Sequence, residues 1–104
     1  MITIANQRKT RPIDYHIYVD RGTIYGNPFK MTYESERDAV CDQYKTYFYE
    51  KLESDPTFYE AVEFIVDIAK KKDIQLLCWC APKRCHAETI KEYVEKRLKE
   101  EAEG

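Results

Sequence analysis

The amino-acid sequence predicts one small α/β domain spanning residues 1–104, with about three mainly parallel strands covered by helices. Three observations predict it. Short β-branched and aromatic runs stand near the N-terminus, two stretches with helical periodicity follow, and a nearly continuous apolar run, Ile74 to Cys80, precedes a last helical stretch. A chain of 104 residues can bury one modest core but not two. Hydrophobic residues make up 43% of it and charges of both signs are interleaved, which excludes the disordered and low-complexity classes.

The elements follow in order. Met1 to Ala5 and His16 to Asp20 are the first two strands, the second rich in β-branched and aromatic side chains. Between them NQRKTRPID is polar and contains Pro12, so it is a loop. RGTIYGNPF comes next, and Gly22, Gly26, Asn27 and Pro28 in so short a span forbid a regular element. From about Tyr33 to Leu52, Val40, Tyr44, Tyr47, Phe48 and Leu52 fall on one helical face. Ser54, Asp55 and Pro56 stop that helix and open another, Ser or Asp as the cap and Pro56 in the first turn. The second helix turns Phe58, Ala61, Val62, Ile65, Ile68 and Ala69 inward and ends at Lys70 to Lys72, whose charges suit a helix C-terminus. Ile74 to Cys80 is too short for a helix and fits a strand buried on both faces. The last helix begins near Cys85 and aligns Ile90, Tyr93, Val94 and Leu98. The order is therefore β-β-α-α-β-α, a Rossmann-like arrangement.

Charge narrows the partners. The net charge is -2, so the molecule as a whole is not a polyanion binder. Its first 31 residues differ, because Arg8, Lys9, Arg11, Arg21 and Lys30 face only Asp14 and Asp20. That segment suits an anionic ligand or serves as a solvated surface. No apolar run approaches a membrane span and the N-terminus lacks a secretory h-region, so the expected location is cytoplasmic, with no membrane partner. In that reducing setting Cys41, Cys78, Cys80 and Cys85 are expected as thiols. No cofactor-binding motif stands out.

The richest chemistry lies in LLCWCAPKRCHAET, Leu76 to Thr89, with three of the four cysteines, the only tryptophan and one of two histidines. On a strand, Cys78 and Cys80 point to one side and Trp79 to the other. A strand, a tight APKR loop and a helix N-terminus form a seat for an anion, since the first N–H groups of the helix are unpaired. The two strand-to-loop junctions emerge together if the strands are parallel, at the sheet edge where ligands usually sit. One site is then expected from both loops: Arg21, Lys83 and Arg84 as cations, Asn27 and His86 as hydrogen-bonding groups, Tyr25 and Trp79 as flat surfaces. Cys80, Cys85 and His86 are its candidates for catalysis. Core packing competes for Trp79, as it does for Cys78, while Cys41 is simply a helix position and His16 a strand residue with a satisfied ring.

Two sharper alternatives arise from the cysteines. C-x-C-x4-C-H supplies four potential zinc ligands, but adjacent Cys85 and His86 diverge at a helix start, and no metal is assigned. Cys78 and Arg84 stand at the C-x5-R spacing of a thiolate phosphatase cradle, against which the strand is expected to continue through Cys80. Burial of Cys78 and Cys80 as small hydrophobes is the plainer alternative.

R-G-x-x-x-G-N-P-F, Arg21 to Phe29, paired with L-x-C-W-C-x-P-x-x-C-H, Leu76 to His86, resembles a family of small phage and bacterial domains of unknown function, DUF4326. Arg37, Tyr44 and the final helix share the likeness. The resemblance implies that Arg21, Gly26, Asn27, Pro28, Phe29, Cys78, Cys80, Pro82, Cys85 and His86 occupy the pattern, with Lys83 and Arg84 in a variable part of it. The expected function is binding of a nucleotide or other phosphate-bearing molecule between the GNPF and cysteine loops. Arg21 would pair with phosphate, Asn27 would meet a base or ribose, and backbone N–H groups from Cys85 to Ala87 would take a second phosphate. The phage setting implied by the resemblance suggests sequestration of a host signalling nucleotide as counter-defence, or else nucleotide processing. Exposed Tyr33, Tyr49 and Tyr59 would permit a homo-oligomer. The alternative is a nucleic-acid or protein interaction module using Arg8, Lys9 and Arg11 beside Tyr15 and Tyr18.

Overall fold

All three strands of the sheet run parallel, and the last in sequence lies in the middle. The computed structural model describes residues 1–103, in the order β1 (Ile2–Asn6), β2 (His16–Tyr18), α1 (Arg37–Ser54), α2 (Pro56–Ala69), β3 (Ile74–Cys78) and α3 (Ala87–Glu103). Strand order is β1-β3-β2, with Leu76 level with both Ile4 and Ile17. The central position explains why β3 is apolar without alternation: every residue from Ile74 to Cys78 is buried. Its one polar member, Gln75, accepts from the Ile13 N–H at 3.3 Å.

The expected α/β class and element order hold, and several boundaries move, β2 among them, which ends at Tyr18 and not at Asp20. Strand β3 ends at Cys78 instead of Cys80, because the chain turns there, with the Lys83 N–H bonded to the Cys80 carbonyl at 2.9 Å. Cys78 and Cys80 therefore do not share a strand face. The first helix starts at Arg37, preceded by a 3-10 turn over Glu34–Glu36, not at Tyr33. Helix α3 starts at Ala87, two residues after Cys85, and the Glu88 carboxylate reaches back to the Cys85 N–H at 3.3 Å.

Helix α2 opens as its sequence dictates. Asp55 Oδ1 accepts from the N–H groups of Thr57 and Phe58 at 3.0 and 3.3 Å, and Pro56 occupies the first turn, where no N–H is needed. Its inner face buries Phe58, Val62, Ile65 and Val66. These meet Phe48 of α1 and Ile90 and Val94 of α3 in one core with Leu76. Phe48 is the hub of the aromatic part, with ring centroids 5.6 Å from Phe58, 5.5 Å from Tyr93 and 6.0 Å from Tyr44. No described helix is long and apolar enough to cross a membrane.

Candidate functional site

Beyond the C-terminal ends of β2 and β3 lies a pocket of about 280 Å³. Its walls come from three stretches: Asp20, Arg21, Gly22, Asn27 and Met31 after β2, Arg37, Val40 and Cys41 at the start of α1, and Trp79, Cys80, Cys85 and His86 after β3. Parallel strands bring the first and third together, because Val19 and Leu77 run side by side and the Val19 N–H donates to the Leu77 carbonyl at 3.0 Å.

The GNPF loop is a chain of turns fastened to the helices. The Thr23 N–H donates to the Asp20 carbonyl and the Gly26 N–H to the Thr23 carbonyl, both at 3.0 Å. Tyr25, expected as a flat ligand surface, is buried instead: its hydroxyl donates to the Ala61 carbonyl, and its own carbonyl accepts from the Tyr44 hydroxyl, each at 2.8 Å. Phe29 packs edge-on to Tyr47 at 6.0 Å. Asn27 is only 7% exposed, and its Oδ1 accepts from the Phe29 N–H at 2.9 Å, closing a side-chain turn around Pro28. Arg21 Nη2 donates to the Phe29 carbonyl at 2.9 Å. Gly26, Pro28 and Phe29 thus shape the loop without lining the pocket.

The cysteine loop is fastened at both ends. Asn6 Nδ2 donates to the carbonyls of Trp79 and Ala81 at 2.9 and 3.1 Å. Arg37 holds Glu34 through Nε and Nη2 at 2.7 and 2.9 Å, keeping that carboxyl well below its ordinary range, at about 2, and its Nη1 donates to the Arg84 carbonyl at 2.9 Å. Lys83 and Arg84, expected as cationic members of the site, point elsewhere. Lys83 pairs with Glu34 at 3.5 Å, and Arg84 binds Asp38 and Asp42 at 3.0 and 2.8 Å. Pro82 does not line the pocket either. Arg21, by contrast, has no carboxylate partner among the described residues, which makes it the pocket's uncompensated cation.

Trp79 is not in the core: it is 46% exposed and forms part of the pocket wall. Two residues of the loop after β1 hold it. Arg8 lies over its ring at 4.1 Å. The Gln7 amide, oriented so that both ends are satisfied, accepts from Trp79 Nε1 at 3.3 Å and donates to Asp20 Oδ2 at 2.9 Å. Arg8, assigned to a nucleic-acid face in the alternative expectation, is thus engaged at the pocket rim.

All four cysteines gather here. Cys41, read from sequence as an ordinary helix position, lines the pocket beside Cys80 and Cys85, and burial raises its thiol pKa. Cys78 is wholly buried behind Cys85, with the two sulfurs 3.3 Å apart. The Cys85 thiol donates to Cys78, lowering the Cys78 pKa, with the backbone N–H groups of Ala81 and Cys80 adding to the effect; the same bond and burial raise Cys85. A phosphatase cradle is contradicted on both counts, since Cys78 is enclosed and Arg84 is turned to α1. Among the described residues no three His, Cys, Asp or Glu side chains are grouped so that they could hold a metal ion. Of the backbone seat expected at the α3 N-terminus for a second phosphate, the Cys85 N–H is bonded to the Glu88 carboxylate, whose charge also repels an anion.

His86 is 7% exposed, and its Nε2 bonds the Val19 carbonyl. A carbonyl only accepts, so Nε2 carries the proton. Burial lowers the ring's pKa, with the Arg21 charge adding to this and the Val19 bond and Asp20 opposing it, so the ring is neutral at neutral pH. The folded pKa lies below the unfolded value of about 6.5, so this group's contribution to stability is full above about pH 6.5 and falls with pH through the folded value. Urea unfolding at successive pH values should show stability declining as the pH is lowered below about 6.5. His86→Gln keeps a donor for Val19 without titrating and should flatten the profile there. Glu34 and Asp55, both lowered carboxyls, act only below about pH 4.5.

The model of the family described as "Domain of unknown function (DUF4326)" matches residues 2–96. The chain belongs to this family. Neither comparison with curated proteins nor comparison with solved structures returns a match. Both motifs of this DUF4326 protein fall inside the matched span, and together they supply seven of the twelve pocket residues, Arg21, Gly22, Asn27, Trp79, Cys80, Cys85 and His86. Asp20, Met31, Arg37, Val40 and Cys41 come from outside the motifs, and of these only Arg37 carried a signal as a family position.

Proposed function

We propose that the pocket binds a phosphate-bearing small molecule of about the size of a nucleoside monophosphate. The observation that carries this reading is Arg21: a guanidinium on the pocket wall with no ion-pair partner among the described residues, while Arg37, Lys83 and Arg84 are each paired with carboxylates. The volume, about 280 Å³, lies at the low end for small-molecule sites and suits one nucleoside unit with one phosphate. The Glu88 carboxylate at the second anion seat points the same way. Sequestration of such a molecule needs affinity alone, and the counter-defence role implied by the family's phage members is one use of it; processing would call on His86, Cys80 or Cys85.

Native mass spectra of protein freshly taken from cells should show an added mass of nucleotide size that denaturation removes. Arg21→Ala should lower affinity for that molecule about tenfold or more, as loss of a charge-assisted bond does, with little change in melting temperature because Arg21 is exposed. A bare protein in the spectrum, together with wild-type affinity in the variant, would sink the proposal.

A further inference from the structure

We infer that the pocket recognises a planar amide-type edge, an N–H donor beside a carbonyl or imine acceptor, through His86 Nδ1 and Asn27 Nδ2. The inference rests on the proposed pocket and adds the chemical class of the ligand's uncharged part. Both side chains are more than nine-tenths buried, and both line the pocket. Each has one end fixed by the backbone. His86 Nε2–H is committed to the Val19 carbonyl, so Nδ1 is a lone-pair acceptor. Asn27 Oδ1 is committed to the Phe29 N–H, which fixes the amide's orientation and leaves Nδ2 as donor.

Neither Nδ1 of His86 nor Nδ2 of Asn27 has a partner among the described residues, and no fully enclosed side-chain nitrogen or oxygen is left unbonded. The two atoms therefore open onto the pocket space. A phosphate at neutral pH presents almost only acceptors, so it suits Arg21 and is a poor match for His86 Nδ1. The anion and the ligand's donor-bearing group are thereby directed to different parts of the pocket. Trp79, held by Arg8 and Gln7, supplies a flat wall for a planar ring. Nucleobases and the carboxamide of a nicotinamide both present the required edge.

Calorimetric titration separates the cases. The probes are the 5′-monophosphates of adenosine, guanosine, cytidine and uridine, nicotinamide mononucleotide, and ribose 5-phosphate, which keeps the anion and lacks the edge. At least one edge-bearing probe should bind about tenfold or more tightly than ribose 5-phosphate; which one it is assigns the edge to a nucleobase or to a carboxamide. In His86→Phe, and in Asn27→Asp, which preserves the turn to Phe29 but adds an anion that weakens every phosphate probe alike, the ratio of edge-bearing to ribose 5-phosphate affinity should fall to about one. Equal binding of ribose 5-phosphate and every other probe overturns the edge and leaves the phosphate pocket standing. An advantage that survives in the folded Asn27→Asp protein overturns it too. If no probe binds and the cell-derived protein carries no nucleotide, the pocket reading fails and the edge with it.

Discussion

Phe48→Ala should cost about 3–5 kcal/mol of folding stability, the usual range for removing a buried phenyl ring. Phe48 is fully enclosed, and its ring is the meeting point of Tyr44 on its own helix, Phe58 on α2 and Tyr93 on α3. Three helices therefore surround the hole that alanine would leave, and the backbone of none can close it without disturbing the other two. A domain of this length has about 5–15 kcal/mol in total, so the loss is about a fifth of the whole at the least. Urea unfolding followed by circular dichroism measures it. A loss under about 1 kcal/mol would show that the helices close over the gap, contrary to their packing here.

Gly26→Ala should damage both stability and binding. A Cβ at that position would stand 2.6 Å from the Arg21 Cα and 2.6 Å from the Asp20 carbonyl oxygen. Both neighbours are backbone, so no side chain can swing aside. The glycine is required by space and not by a left-handed conformation, since its φ is not positive. To admit a methyl group the turn must open between Asp20 and Gly26, the segment that sets Arg21 on the pocket wall. The expected cost is about 2–3 kcal/mol, the upper part of the range for a forced overlap, together with loss of the nucleotide-sized adduct in native mass spectra. A variant as stable as wild type that still carries its adduct would show the loop to be more pliant than its two turns imply.

Most of the fold was legible because its signals are local. Asp55 and Pro56 announce the start of α2, and the unbroken apolar run at Ile74 identifies a central strand before any partner is known. The boundaries that moved depend on contacts made at a distance. Cys80 leaves the strand because the chain must turn toward α3, and α3 starts late because Glu88 folds back on Cys85. Within the site, Arg21, Asn27 and His86 were legible as polar groups in loops beyond strand ends. Tyr25 was misplaced because an aromatic ring in a glycine-rich loop resembles a binding surface, and nothing local reveals that Ala61 and Tyr44 await its polar atoms. The charges of Lys83 and Arg84 were visible, but the carboxylates that compensate them lie on another part of the chain, at Glu34, Asp38 and Asp42. Cys41 carried no signal at all, since helical periodicity cannot tell a core wall from a pocket wall.

The central place of β3 also orders events in time. Neither β1 nor β2 has a strand partner until residues 74–78 have been synthesised, because both pair only with β3 and not with each other. During translation the first 70 or so residues can form little beyond the α1–α2 hairpin, with two apolar segments waiting unpaired. Such long-range parallel pairing makes folding slow relative to a helical bundle of equal length. The nascent chain thus exposes its stickiest surface until the ribosome has passed Cys78, and the pocket, built on both strand ends, is the last part to become functional.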